Sequence, residues 1–476
     1  MSDMRRGEFP ITNLPTWCTL NNIKFHGVSA ASIEGRGLGL VAEDDLGSDG
    51  ENDTPVVLLT IPKDLVLSSA GVEEYAKESK EFRQLLDVAG GQSLRGDILL
   101  FLLTQLVLSS PDYTGGLGPS TGWTQYFKLL PTQVPVPTMW AEAELSLLRG
   151  ISLESAVSAK LATLAKEFNH LREAASSISF WNEVLNVDEA IGIRDWIGLD
   201  ALYRSRSLGL PTSGESMVPC LDLVNHSSPA TAYFEENENE EVLLLLRPGS
   251  QVKRGEEITI NYGHDKPAAE MLFSYGFVDL DSPARSILLP VESMEDDPLA
   301  KAKLYILGSS PTLKITDRDT GIPQWDAPFV HLMCLNAEDG LNFKVLQETD
   351  GSTQLRLFWQ EADVTSQAGN MESVVQSEKL ASIFRLRVVT VVLDMVQNQL
   401  DALAREMDES VLTHAEKSGI LRAATHLREV EQDLFERVSK VLEDERTQLL
   451  EDPEVIAYLT VMDAGQEEDI DDEDFT

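Results

Sequence analysis

The spacing of hydrophobic positions changes repeatedly along this chain, and each change predicts a change of secondary structure. Between Ile23 and Leu67, short apolar runs (Leu38 to Ala42, Val56 to Ile61) alternate with Gly, Asp and Pro, the pattern of small strands joined by turns. From Ser93 to about Gly198, apolar residues recur at helical spacing in Asp97 to Leu108, Ala141 to Leu148 and Leu153 to Ala175, with Pro131, Pro135 and Pro137 between the first two. This predicts a long helical insertion. Strand patterns return in Tyr233 to Leu246 and Glu257 to Asn261, with Pro248-Gly249 and Lys253-Arg254-Gly255 as turn material. Beyond about Ser282 the chain reads as helical again, most clearly in the apolar stripes of Ile383 to Leu403 and Leu421 to Leu442. Such stripes are what packed helices need for a core, so a second, all-helical domain is expected. The acidic stretch Glu467 to Asp474 cannot bury enough surface to fold, and a disordered tail is expected over 463–476. No internal repeat is found.

A length of 476 residues suggests two or three domains at roughly 150 residues each. The hydrophobic share of 42% is that of an ordinary globular protein, which excludes wholesale disorder. A formal net charge of −41 argues against affinity for nucleic-acid phosphates and favours basic polypeptides as partners. The longest apolar run, Ile98 to Leu108, is interrupted by Thr104 and Gln105. It falls well short of the ~20 residues needed to cross a bilayer, so it reads as a buried helix and no membrane association is expected. Met1 to Pro15 has two arginines with no apolar stretch behind them, so no secretory signal is expected. The cysteines Cys18, Cys220 and Cys334 are too dispersed for a CxxC metal site or a disulfide framework. We therefore expect no metal site and residence in the cytoplasm, the nucleus or both.

Three short motifs could carry chemistry. Glu34-Gly35-Arg36-Gly37-Leu38-Gly39-Leu40-Val41 fails as a dinucleotide fingerprint, because Leu40 stands where the third glycine is required and a strand follows instead of a helix. Its alternating glycines fit a tight turn or a close approach of backbone to ligand. Pro219 to Ser228 is an apolar lead-in to Asn225-His226-Ser227-Ser228, whose groups can donate and accept towards an adenine edge or an amino-acid head group, or simply cap a turn. Glu257 to Gly263 ends in Tyr262-Gly263, and Tyr275-Gly276-Phe277 follows. Two Tyr-Gly pairs are equally compatible with strand ends that bury phenols.

The order of these motifs carries more than any one of them. A glycine-rich strand entry, Arg204-Ser205-Arg206, Asp222-x-x-Asn225-His226-Ser227, Ile260-x-Tyr262-Gly263 and Tyr275-Gly276-Phe277 follow one another. In this the chain resembles the SET-domain protein methyltransferases, specifically the subfamily of plant Rubisco large-subunit methyltransferase and fungal ribosomal-protein lysine methyltransferases. The resemblance covers most of the chain and includes Trp123-x-x-Tyr126, Leu130-Pro131, Trp140 and Glu144-Leu145 of the insertion. It implies an α+β fold, with a β-rich SET domain over 20–280, a helical insertion over about 93–198, and an all-helical substrate-binding domain over 284–462. It also implies S-adenosylmethionine as cofactor, held by the Arg36-Gly37-Leu38 backbone, by Arg206 at its carboxylate, and by Asn225 and His226 at its amino group and adenine. Tyr262 would be the catalytic tyrosine in contact with the cofactor, and Tyr275 would line both cofactor and substrate channel. Ser205, Asp222 and Tyr233 would lie near the target side chain, with Phe234 replacing Tyr233 if the register slips by one. Arg206 in a surface ion pair and Asp222 as a cap are the plainer alternatives. Two positions depart from the subfamily pattern: Arg36 stands where many relatives have Glu, and Pro267-Ala268 replaces a common Ser-Asn.

The implied reaction is methylation of a lysine in a basic protein, for example a ribosomal protein, by a monomeric enzyme. It requires a neutral amine, whereas free lysine has a pKa near ~10.4. A narrow apolar channel beside a sulfonium disfavours the ammonium form by desolvation and like-charge repulsion. The Tyr262 phenol would then align the nitrogen, so the rate comes from positioning and electrostatics. The run Glu235-Glu236-Asn237-Glu238-Asn239-Glu240-Glu241 would either steer basic substrates to the channel mouth or form a solvated hairpin tip. A protein-histidine methyltransferase and a catalytically silent acidic binder of basic proteins are the alternatives.

Overall fold

The computed structural model describes residues 6–47, 55–111, 118–280, 282, 285–294, 296–317, 321–347, 353–405 and 419–461. The expected disordered tail lies outside them. Two compact units are distinguished. The first comprises Met1–Glu142, Ser155–Lys266 and Glu270–Pro283, and the second Ala143–Glu154, Pro267–Ala269 and Ala284–Thr476.

In the first unit the alternating runs become small sheets, as α+β patterning requires. The hairpin Val28–Ile33 and Gly37–Ala42 turns at Gly35, whose φ of +73° suits glycine. Glu257–Ile260 adds antiparallel to Gly37–Ala42, and the two-residue strand Asn225–His226 adds parallel to Glu257–Ile260, pairing Asn225 with Thr259 and His226 with Ile260. A second four-stranded sheet orders Lys24–Phe25, Val57–Ile61, Val242–Leu246 and Ala232–Glu236, all antiparallel.

An α-helix already spans Leu14–Leu20, and the helical segment between the strands begins at Ser69, earlier than the expected 93, with Ser69–Glu78 and Lys80–Ala89. Both are amphipathic, burying Val72, Tyr75 and Ala76 in one and Phe82, Leu85 and Leu86 in the other. Both are also capped, Ser68 accepting from Gly71 N and Ser79 from Phe82 N, so spacing and caps were legible there. The run read as a buried helix is Leu94–Ser109, inaccessible from Ile98 to Val107. Of its two polar interruptions, Thr104 donates to the Leu100 carbonyl, and Gln105 Oε1 accepts from Thr124 Oγ1 at 2.7 Å while Gln105 Nε2 is buried without a hydrogen bond. Leu153–Ala175 forms as expected, while Ala141 to Leu148 yields only the short turns Glu142–Leu145 and Ser146–Leu148. No helix among the described residues is long and apolar enough to cross a membrane.

The second unit contains the two expected long helices, Ala381–Leu403 and Ile420–Leu450. They run antiparallel, with Arg385 Nε 2.6 Å from Glu445 at one end and Arg428 donating to the Leu403 carbonyl at the other. The all-helical expectation fails before them. Among the described residues between Arg285 and Asp363, two three-stranded antiparallel sheets form, Arg285–Pro290/Thr312–Asp317/Pro323–Asp326 and Leu341–Gln347/Thr353–Trp359/Ala362–Asp363, beside the short helices Ala300–Leu307 and Pro328–Met333. The cause is a period of two: Ile287 and Leu289 are buried while Leu288 between them is 57% exposed, and Leu313 and Ile315 are buried around Lys314.

Candidate functional site

The parallel pairing of Asn225–His226 with Thr259–Ile260 brings two motifs separated in sequence onto one spot. The His226 ring accepts the Tyr262 N–H at Nδ1 (3.1 Å) and lies 2.8 Å from Asp279 through Nε2. Since a backbone amide can only donate, Nδ1 is the acceptor and Nε2 carries the proton towards Asp279. The Asn225 amide donates to the Leu38 carbonyl (3.2 Å) and to Glu257 Oε1 (2.7 Å). The Arg36 guanidinium meets Glu257 Oε2 at 2.6 Å and donates to the His226 carbonyl. Arg36 thus bolts the glycine-rich turn to the Asn-His strand through its side chain, which gives a physical role to the departure from Glu. Gly39 is small by necessity, because a Cβ there would lie 2.9 Å from Asn225 Nδ2, 2.8 Å from Glu257 Oε1 and 2.7 Å from Ile33. Beside Gly35 and Gly37, by contrast, a Cβ would meet nothing within 4 Å.

On the other side of Tyr262 lies a cavity of about 630 Å³ within the first unit. Of the predicted residues it is lined by Ser205, Arg206, Asp222, Tyr262 and Tyr275. Arg36, Gly37, Leu38, Asn225 and His226 do not line it; they form the bonded set behind Tyr262. The two tyrosine rings lie 4.6 Å apart and Tyr262 lies 5.3 Å from the His226 ring, with Phe277 beside all three. Gly276, at φ +85°, sits where a Cβ would strike the Pro135 backbone at 2.7 Å, and so fixes Tyr275 and Phe277 on either side. Tyr233 is a correction. Adjacent strand residues point to opposite faces, and Phe234 takes the cavity wall while the Tyr233 ring lies 5.8 Å from the Arg247 guanidinium.

The electrostatics of this cavity are unusual for a protein interior. Asp222 Oδ1 is bonded to the Tyr126 hydroxyl, but Oδ2 has no hydrogen-bond partner although its side chain is 3% exposed. Arg206 Nε, 3.5 Å from Oδ2, also lacks a hydrogen bond, while another of its nitrogens donates to Ser205 Oγ at 2.8 Å. Burial pushes Asp222 up, opposed by Arg206 and by the Tyr126 hydroxyl. Burial also pushes the Tyr262 phenol well above its ordinary range, so it stays protonated, and it donates to the Val224 carbonyl at 2.9 Å.

The acidic run 235–241 is partly consumed by structure. Glu236 accepts from Thr212 N, Ser213 N and Ser213 Oγ, Glu240 meets Lys63 at 2.6 Å, and Glu241 accepts from Asn237 Nδ2 at 2.7 Å. Cys18 and Cys220, far apart in the chain, have buried sulfurs 3.8 Å apart and are both free thiols. Sequence reasoning missed Asp279, which lies outside every motif, and gave no role to Glu257 and Val224 although both stood within the motifs. Tyr126 and Phe277 stood within the motifs without an assigned role.

No family model matches the chain. It is 26% identical over 411 residues to "SET domain-containing protein 8" of Schizosaccharomyces pombe, covering 85% of this chain and 89% of that protein. It is 27% identical over 326 residues to the chloroplastic ribulose-1,5 bisphosphate carboxylase/oxygenase large subunit N-methyltransferase of Pisum sativum, covering 65% of this chain and 60% of that protein. The fold is similar to the crystal structure of the SET domain of LSMT bound to lysine and AdoHcy, with a TM-score of 0.67, 21% identity and 92% of each chain covered.

Proposed function

We propose that this chain, a SET-domain protein of the Rubisco large-subunit methyltransferase type, is an S-adenosylmethionine-dependent protein-lysine N-methyltransferase. The observation that carries the reading is Tyr262. Its backbone N–H is bonded to His226, while its phenol lines the cavity shared with Arg206, Asp222 and Tyr275.

The residues present fit the cofactor. Arg206 keeps a buried Nε without a hydrogen bond, suited to a carboxylate. Open space beside Gly35 and Gly37 leaves the turn's backbone free to approach a ligand. Arg206, the backbone of Arg36, Gly37 and Leu38, and the Asn225–His226 strand would hold the molecule. When bound, it supplies an electrophilic methyl group on a positive sulfonium.

The chain's own groups then act on the nitrogen. The only phenolic hydrogen of Tyr262 is committed to the Val224 carbonyl, which leaves its oxygen lone pairs for an amine N–H. A phenol held above its ordinary range by burial orients the amine and does not take its proton. Leu221, Val224, Phe234 and Ile260 supply apolar wall that disfavours the ammonium by desolvation. The large negative charge supports a basic protein as substrate, with ribosomal proteins as candidates.

The test is incubation of the purified chain with isotopically labelled S-adenosylmethionine and a panel of basic proteins, read by mass spectrometry of peptides. Labelled methyl-lysine is the expected product. Labelled methylhistidine would replace the lysine reading, and cofactor binding without transfer to any protein would replace it with the silent binder.

A further inference from the structure

Cys18 and Cys220 are thiols that the methyl-transfer chemistry leaves unused. Cys18 lies on the helix Leu14–Leu20, and Cys220 opens the turn Leu221–Leu223. Their sulfurs face each other at 3.8 Å across 202 residues of sequence. The two are not equivalent. Burial, the bond to Cys18 and the nearby Asp222 push the Cys220 thiol well above its ordinary range, so it keeps its hydrogen and donates it. That hydrogen bond lowers Cys18, which is therefore the first to ionise. Cys18 also retains 3% exposure, on a seven-residue helix without a side-chain cap, whereas Cys220 has none. A water-sized oxidant thus meets Cys18 first, with a resolving thiol already in contact.

Cys220 is also the point from which the site can be moved. It holds a left-handed backbone, φ +70°, and donates its N–H to the Tyr126 hydroxyl at 2.8 Å. Leu221, Asp222 and Val224 beyond it line the cavity, and the Val224 carbonyl accepts the Tyr262 phenol. On the other side, Trp17 ties the helix to the insertion, its Nε1 donating to the Gly122 carbonyl at 3.1 Å and its ring lying 5.0 Å from Tyr126. A disulfide has an S–S bond of about 2.0 Å, so the sulfurs must close by almost half their separation. With the helix braced, part of that movement falls on the turn. We propose that Cys18 and Cys220 are a redox switch, in which a peroxide converts the dithiol to a disulfide that pulls on the turn Leu221–Leu223 and lowers the activity of the site. The Cys18 thiolate attacks the O–O bond of hydrogen peroxide, giving a sulfenic acid and, once the leaving oxygen is protonated, water. The Cys220 sulfur then forms the S–S bond and expels hydroxide, which takes the Cys220 proton and leaves as a second water. The two thiols lose two electrons and the peroxide gains them. Only the loss of methyl transfer rests on the methyltransferase reading; the disulfide and the movement of the turn do not.

The experiment treats the reduced full chain with hydrogen peroxide, alkylates the remaining thiols after unfolding, and maps them by mass spectrometry of peptides. Cys334 is the internal control: it is more exposed, at 8%, but burial pushes its thiol up to about 12. A linked Cys18–Cys220 peptide should form while Cys334 still alkylates. Amide hydrogen exchange over Cys220 to Val224 should quicken by about tenfold, since the Cys220 N–H is drawn off Tyr126. The kcat should fall by about tenfold or more and recover in dithiothreitol, which does not reverse methionine oxidation. In Cys18→Ser the same peroxide should leave kcat unchanged; if that variant does not fold, recovery of the wild type in dithiothreitol decides. Oxidation of Cys334 ahead of the pair, a disulfide that leaves exchange unmoved, or a disulfide with undiminished turnover overturns the proposal. A reduced wild type that transfers no methyl group counts against the methyltransferase reading alone, and linkage and exchange then decide the switch.

Discussion

The two faces of Tyr262 treat polar groups in opposite ways. Behind it, the groups of Asn225, His226, Glu257, Arg36 and Asp279 bond to one another and to backbone: Glu257 uses both oxygens and the His226 ring both nitrogens. In front of it, Arg206 Nε and Asp222 Oδ2 face each other at 3.5 Å as an ion pair, and neither atom has a hydrogen bond. A saturated network holds a turn and a strand together, so that what it can offer a ligand is the backbone it fixes in place. A half-saturated one in a cavity wall is prepared for something that is not part of the chain. Glu431 in the second unit shows that burial alone does not make the difference. It is as inaccessible as Asp222, but its oxygens accept from Ser152 N at 2.8 Å and Ser152 Oγ at 2.5 Å, and no function is implied.

This contrast can be broken at its hinge. Tyr262→Phe should lower kcat by about two orders of magnitude or more, because the oxygen that aligns the nitrogen is gone. Calorimetry should find S-adenosylmethionine affinity nearly unchanged, and undiminished turnover would remove Tyr262 from the catalytic role. On the receptive face, Arg206→Met should weaken cofactor affinity about tenfold to a hundredfold, since a charged hydrogen bond to ligand is lost, and should lower Tm as well, since the bond to Ser205 and the ion pair with the buried Asp222 go with it. A large fall in Tm with intact affinity would mean that Arg206 is scaffold.

Stability is the better readout for the saturated groups. The buried Glu431 carboxyl is pushed up to about 7 by burial, against the lowering effect of its Ser152 bonds. Its folded pKa lies above the unfolded value near 4.5, so the native state holds the extra proton between about pH 4.5 and 7, and stability falls as pH rises through that window. The full span is about 3 kcal/mol. Urea unfolding of wild type and Glu431→Gln at several pH values should show this loss in the wild type only, and parallel curves would refute it. Gly39→Ala should cost about 1–2 kcal/mol, because Asn225 and Glu257 must give way to the new Cβ. An unchanged Tm would show the network to be looser than its distances imply. The smallest effect is expected at the hairpin tip. Neutralising Glu235 and Glu238 together should slow association with a basic substrate by about twofold at low salt and not at high salt, since Glu236, Glu240 and Glu241 are engaged internally.

Much of this is legible in the order of residues alone. Helical spacing locates Leu153–Ala175 to the residue and Ala381–Leu403 closely, while Ile420–Leu450 runs about two turns beyond the apolar stripe that ends at Leu442, since only the stripe that faces a core is legible. The motif order singles out Asn225, His226, Tyr262 and Tyr275, which do converge. Illegible are the two sheets between Arg285 and Asp363, where strands of two to seven residues offer too few alternations to compete with neighbouring helices, and the face of Tyr233, because one residue of register reverses a side chain.

Local pattern, then, determined the elements, the acidic character and the residue types at the site, because spacing and side-chain chemistry are properties of neighbours along a chain. Tertiary structure alone decided which of those residues spend their polar atoms on one another and which leave them bare. Asp222 is held by a hydroxyl supplied by Tyr126, far away in sequence, and by the Arg206 guanidinium, and satisfaction of a buried polar atom is a property of everything that surrounds it in space.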